Sequence, residues 1–134
     1  MNRKMTVCLL VFLCSLAAHG QPLQWSVVKS IVLLNQTASI PQTTLFTPTQ
    51  AGVFRLSAEI VPASTEGIWT LEVFWKDRIR THEAYSCLNT CISSLPEFLN
   101  ITMAVSKDSP IQYATFPPND VGGFDLVIVL EQLK

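Results

Sequence analysis

The chain carries few residues whose types and spacing could perform acid–base or nucleophilic chemistry. After residue 20 its one histidine, His82, precedes Glu83. Neighbouring residues of a strand point to opposite faces, so the two cannot hydrogen-bond through their adjacency, and we expect His82 on a polar strand face. No serine stands in the Gly-x-Ser-x-Gly turn typical of a hydrolase nucleophile. The sequence therefore predicts no catalytic residue and a protein that is not an enzyme.

Two cysteines, Cys87 and Cys91, follow the first 20 residues. In an oxidising compartment an even pair is expected to form a disulfide, and closing so short a loop would contribute at most ~2 kcal/mol. A zinc site needs about four ligands, and His82 adds only one. The turn aspartates lack the spacing of a calcium loop. We expect neither a metal nor another cofactor.

The aromatic residues fall into two groups. Trp69 and Trp75 alternate with Leu71 and Val73 along one predicted strand face, a pattern typical of a core. Trp25 and Tyr85 stand outside that pattern. As surface aromatics, these two are candidate contacts for a glycan or a protein partner.

The amino terminus has the three parts of a secretory signal peptide. Arg3 and Lys4 precede the apolar stretch 7–18, and small residues occupy positions 18 and 20. This pattern predicts removal of residues 1–20 and a secreted or periplasmic product. The apolar stretch is shorter than the ~20 residues that span a bilayer, and no later stretch is long enough. We expect no membrane partner after cleavage.

Neither charge nor modification motifs identify a partner. Residues 21–134 carry seven lysines and arginines against ten acids, and the basic residues form only a loose group at Lys76, Arg78 and Arg80. The balance predicts binding to neither nucleic acid nor acidic lipid. Asn35 and Asn100 begin Asn-x-Thr acceptors that matter only in a eukaryotic source, and we interpret them as chance occurrences.

The elements that must position these residues are strands. Apolar and polar residues alternate with period two between Pro, Gly, Asn and Asp punctuation, and helix signals are nearly missing. Residues 21–134 therefore form a single predicted domain of about eight strands. These strands are Trp25–Leu34, a short one around Ala38–Ile40, Gly52–Val61, Ile68–Lys76, Ile79–Ser86, Phe98–Val105, Ile111–Thr115 and Phe124–Leu133.

Two features of the pattern predict how the strands are buried. Pro48 ends one pairing and Gly52 permits a turn, so Phe46 and Phe54 should reach the same core from two sheets. The first and last strands are apolar on both sides, as at Val127 and Val129, which is typical of strands covered on both faces. A second subunit or a loop of the same chain would supply the outer cover.

The corner Phe46-x-Pro48-x-x-x-Gly52-x-Phe54 resembles the one that precedes a core strand in the head domains of the complement first component and tumour necrosis factor superfamily. The closing segment 123–130, Gly-Phe-x-Leu-x-Ile-x-Leu, looks like the last central strand of those heads. The resemblance implies a jelly-roll fold and a module that associates with copies of itself.

A second resemblance covers most of residues 21–134. The Leu-Phe-Thr-Pro corner at 45–48, the Trp-x-Asp at 75–77 and the closing Phe-Asp-Leu-x-x-x-Leu-Glu at 124–131 are similar to motifs of small secreted bacterial proteins of unknown function. This group implies the same fold and brings no activity with it.

We therefore expect an all-β, antiparallel two-sheet jelly-roll-like sandwich of about eight strands. Its predicted function is that of a secreted, non-enzymatic structural or protein-interaction module, with self-association into a homo-oligomer as the first form. The alternative is a carbohydrate-binding module that uses surface aromatics. A broad exposed apolar face would favour the first hypothesis, and a coplanar pair of exposed rings the second.

Overall fold

The computed structural model describes residues 22–62, 68–89, 97–116 and 123–134; at 68–69, 85–89 and 97 it describes only the backbone. The described ranges form eight strands and no helix. The strands are β1 (Trp25–Gln36), β2 (Thr43–Phe46), β3 (Gly52–Pro62), β4 (Ile68–Lys76), β5 (Thr81–Asn89), β6 (Glu97–Val105), β7 (Ile111–Phe116) and β8 (Phe124–Leu133).

The first four strands pair with the last four in reverse order. Antiparallel pairs join β1 to β8, β2 to β7, β3 to β6 and β4 to β5. Two further antiparallel pairs, β3–β8 and β4–β7, complete a first sheet of order β1-β8-β3-β6 and a second sheet of order β2-β7-β4-β5. This eight-strand arrangement is that of a jelly roll and confirms the predicted fold class.

The core lies between the two sheets and follows the period-two pattern of the sequence. Every second residue of β3, β4 and β8 turns inward, as predicted, and removing such a side chain from water contributes about 1.5–3 kcal/mol. The largest fully buried side chains are Phe54, Leu56, Leu71, Val73, Ile111, Thr115, Phe124, Leu126, Ile128 and Leu130.

The corner between β2 and β3 carries the chain from the second sheet to the first. Phe46 ends β2 and Phe54 lies in β3, and their ring centroids are 5.9 Å apart in a tilted contact. Pro48, which lies between them in the sequence, is buried. Its carbonyl accepts a hydrogen bond from Asp108 N–H at 2.8 Å. The prediction that both rings meet in one core is confirmed.

The short strand expected around Ala38–Ile40 is displaced: β2 begins at Thr43. Ile40 still exchanges hydrogen bonds with Thr115, donating to its Oγ1 at 2.9 Å and accepting from its N–H at 3.0 Å. Pro41 has no N–H to donate, so a continuous ladder starts only after it.

The two strands predicted to be covered on both faces differ in the structure. β1 is an edge strand, and Val32 and Leu34 are 60% and 58% exposed, so the expectation for its end is wrong. β8 is a central strand whose inner side is fully buried, whereas Val127 and Val129 on its outer side stay partly exposed. Within the described part of the chain no element lies over them, and their cover by a second subunit stays a prediction.

Several predictions fall outside the described residues. The signal peptide at 1–20 and Cys91 lie there, and for Cys87 and Tyr85 only the backbone is described. The predicted disulfide and the predicted surface position of Tyr85 therefore stay predictions.

Candidate functional site

The most extensive apolar surface among the described residues is the outer face of the first sheet, the side that points away from the second sheet. Because cross-strand partners share a side of the sheet, the residues that alternate with the core positions of β8 and β3 line this face. We call it the apolar outer face. Its members with large exposed or partly exposed apolar side chains are Val27, Val32 and Leu34 of β1, Val127 and Val129 of β8, Val53 and Val61 of β3, and Phe98 of β6.

Two adjacent rows across the sheet form the middle of the apolar outer face. One row runs from β1 to β6 through Val32, Val127, Glu59 and Phe98. The next row runs through Ser30, Val129, Ser57 and Asn100. Glu59 is the single charged residue of these two rows, so this part of the surface is nearly free of charge.

A charged cluster crosses the apolar outer face near the beginning of β1. Arg55 Nε donates to Glu131 Oε2 at 2.7 Å, and its guanidinium lies 4.7 Å from the centre of the Trp25 ring. The hydrogen bond from Arg55 lowers the pKa of Glu131 below its ordinary value and raises that of Arg55. The pair is neutral together, and Arg55 covers one side of the indole with a cation–π contact.

A second cluster sits at the β4–β5 hairpin. Asp77 Oδ1 accepts backbone N–H groups from Ile79 at 2.6 Å and Arg80 at 2.8 Å, and Asp77 Oδ2 accepts from His82 Nε2 at 2.7 Å. The His82 ring is stacked on Trp75 with centroids 5.1 Å apart. The hydrogen bonds, first that from Arg80 N–H and then those from His82 and Ile79, hold the pKa of Asp77 well below its ordinary value. These contacts fix the turn.

This hairpin corrects the expectation for His82. As expected, His82 does not pair with Glu83. The expectation that it lies on a polar strand face is wrong, because the residue is half-buried beside Trp75. The sequence predicts a returning strand from Ile79, whereas β5 begins at Thr81 after a four-residue turn. That shift sets Trp75 opposite His82 and brings Asp77 within reach. An aspartate at the start of a turn was the available signal, since Asp often bonds the backbone two residues on.

The other predicted site residues are dispersed. Trp25 is partly buried under Arg55, and Trp75 packs against the core as expected. The backbone of Tyr85 belongs to β5 in the second sheet, so it is not a neighbour of Trp25 in the first. The structure therefore does not bring Trp25 and Tyr85 together on one sheet.

Within residues 22–62, 68–89, 97–116 and 123–134, no group of three or more His, Cys, Asp or Glu side chains is arranged to hold a metal ion. No helix long and apolar enough to cross a bilayer occurs among those residues. No protein-family model matches the chain, and no curated protein matches it in sequence.

Proposed function

We propose that this protein is a secreted, non-enzymatic protein-interaction module that associates with a second copy of itself through the apolar outer face. The observation behind the proposal is the set of exposed apolar side chains on that one face, which spans all four strands of the first sheet. Exposed apolar side chains gathered on one face of a domain that already has a complete core mark an interaction site.

The size of the face suits a dimer. Four strands about 4.8 Å apart and about ten residues long present a surface of roughly 600 Å². A standard interface buries about 800 Å² on each partner, and the smallest stable interfaces bury somewhat less. The two central rows carry one charge, Glu59, and the pair Arg55–Glu131 at the rim is already neutralised. A twofold contact would therefore bury few unpaired charges.

The edge of the sheet is less suited to association than its face. β1 departs from regular pairing at two places, between Val27 and Lys29 and between Leu33 and Gln36, and Asn35 has a φ of 55°. Bulges and an edge lysine hinder the addition of another strand. Between these irregularities only a short stretch of β1 is free to pair, which favours face-to-face packing.

The resemblance to complement and tumour necrosis factor heads supports the same proposal, since those jelly rolls act as self-associating modules. The similarity to small secreted bacterial proteins supports export and adds no activity. Both resemblances are carried by residues that pack the core and its corner, such as Phe46, Phe54 and segment 124–131.

Trp25 is the one observation that favours the alternative, a carbohydrate-binding module. Its indole is partly exposed on the first sheet, where it could stack on a sugar ring. Arg55 already covers one side of that ring, and the exposed apolar neighbour on the same strand, Val27, is aliphatic. The breadth of the aliphatic surface favours a protein partner over a glycan.

Sedimentation velocity of residues 21–134 across micromolar concentrations tests the proposal. We expect a monomer–dimer equilibrium, and Val129→Asp should weaken the dimer by about tenfold or more because it places a charge in the interface. Thr44→Asp, on the exposed outer side of the second sheet, is the matched control and should leave the equilibrium unchanged. A monomer at every concentration contradicts the proposal, as does equal weakening by both variants.

A further inference from the structure

One end of the sandwich gathers most of the described basic side chains. Hydrogen bonds from Ser106 N–H to the Lys76 carbonyl at 3.0 Å and from Asp108 N–H to the Pro48 carbonyl at 2.8 Å join three connections at this end. Lys134 lies there too, beside the β2–β3 corner. We call this the basic end. Of the seven lysines and arginines in the described ranges, it holds these five: Lys76, Arg78, Arg80, Lys107 and Lys134.

The acidic side chains at the basic end leave it with an excess of positive charge. Asp77 keeps its negative charge, which is held inside the turn by two backbone N–H groups and His82. Asp108 lies 3.8 Å from Lys107, and both side chains are about two-thirds exposed, at 70% and 66%. That exposed pair is weak, and Asp77 and Asp108 together offset two of the five cations, which leaves three positive charges in excess.

An apolar side chain projects from the middle of this charge. Ile79, between Arg78 and Arg80 in the hairpin turn, is 89% exposed, the highest value among the exposed large hydrophobic residues described. The bonds to Asp77 hold the turn in this shape. A cleft of about 390 Å³ opens beside it, with Gly52, Ala104 and Val105 among its walls. The end therefore presents an apolar tip, flanked by Arg78 and Arg80, beside a largely apolar cleft.

We propose that the basic end docks on the surface of an anionic lipid bilayer, with Ile79 entering the headgroup region and Arg78, Arg80 and Lys107 contacting lipid phosphates. Cations near an anionic membrane and a side chain buried at its boundary add to one another. A soluble polyanion or a nucleic acid would use the cations but gain nothing from an exposed isoleucine. The expectation of no binding to acidic lipid rests on the absence of a basic run, whereas the fold adds Lys107 and Lys134 to the loose group at Lys76, Arg78 and Arg80.

Co-sedimentation with vesicles tests this surface. Residues 21–134 should bind vesicles of phosphatidylcholine mixed with phosphatidylglycerol, lose that binding at high salt, and not bind phosphatidylcholine alone. Arg78→Gln and Arg80→Gln should each lower the partition coefficient about fivefold. Ile79→Ser should lower it about tenfold. All three side chains are exposed, so folding should be unaffected.

Two controls make the outcome decisive. Lys29→Gln removes an exposed cation from β1, away from the basic end, and should leave vesicle binding unchanged. Ile79→Ser should leave the sedimentation of the dimer unchanged, which separates this proposal from that for the apolar outer face. The lipid assignment is overturned by no binding to anionic vesicles, by equal binding to phosphatidylcholine, or by an equal loss in Lys29→Gln. It is also overturned if inorganic polyphosphate competes while Ile79→Ser binds normally.

Discussion

The two sheets bury similar inner faces and present different outer ones. The outer side of the first sheet carries Val32, Val127 and Val129 across neighbouring strands. The outer side of the second sheet carries Glu72 and Glu83 and a hydrogen bond from Gln42 Nε2 to Gln112 Oε1 at 3.0 Å.

Among the described residues, apolar side chains also occur on the outer side of the second sheet, at Phe74 and Phe116, but they are fewer there than on the first sheet. The core needs only one face from each sheet, so the surplus apolar residues of the first sheet are not required by folding. This difference is the basis of the proposal that the outer face of the first sheet, and not that of the second, contacts another copy of the chain.

The largest expected effect distinguishes the buried inner side of β8 from its partly exposed outer side. Ile128→Ala removes a fully buried side chain from β8 and should cost about 2–5 kcal/mol in the free energy of unfolding. Val127→Ala, the adjacent residue on the partly exposed outer side, should cost about 1 kcal/mol or less. Denaturant unfolding at low protein concentration measures both. Equal costs would mean that the outer valines belong to the core and would remove the contrast between the faces.

The second expected effect concerns the β4–β5 hairpin of the second sheet, the sheet with the polar outer side. The pKa of Asp77 is lower in the folded protein than in the unfolded chain, so the unfolded chain binds more protons as the pH falls. The stabilisation by Asp77 should be complete above its ordinary pKa of about 3.9 and decrease below it. Asp77→Asn should lower the Tm at pH 7, and its difference from the unmutated protein should shrink toward about pH 3.

Asp108→Asn is the matched control for that measurement. Asp108 lies in a turn with a φ of 59°, a conformation that asparagine also tolerates, and its carboxylate is 70% exposed. Its Tm should follow that of the unmutated protein at every pH. A difference for Asp77→Asn that stays constant with pH would show that the loss came from packing rather than from the charge.

Much of the fold follows from the alternation of the sequence. Seven predicted strands match observed ones to within a few residues, because most of them have an inner side rich in Leu, Ile, Val or Phe and are bounded by turn residues. The eighth was displaced by Pro41. Burial of the outer sides was harder to predict, since a valine such as Val32 looks the same in sequence whether its strand is central or at an edge.

The candidate sites were less predictable than the fold. The Asp77–His82 contact depends on the register across the hairpin, and two extra turn residues changed that register. The basic end depends on three connections meeting, so Lys107 and Lys134 show no relation to Arg78 along the chain. Periodicity within a strand contains no information about which loops meet.

The smallest expected effect concerns the two carboxylates, Glu72 and Glu83, on the outer side of the second sheet. Burial raises the pKa of Glu72 above its ordinary value, and the nearby carboxylate of Glu83 raises it further. Glu83→Gln removes that charge and should move the pKa of Glu72 back toward the ordinary value without abolishing the part due to burial. The shift can be followed by NMR titration of the Glu72 side-chain carboxyl carbon.

Because the raised pKa means that the folded protein binds the proton more tightly, Glu72 stabilises the fold below its ordinary pKa, and this contribution is lost as the pH rises through the folded value. Glu83→Gln should flatten that dependence slightly, and Glu59→Gln, on the apolar outer face, should leave the pKa of Glu72 unchanged. If Glu59→Gln moves it as far as Glu83→Gln does, the two outer faces are not electrostatically separate. In that case the contrast between them would rest on shape alone.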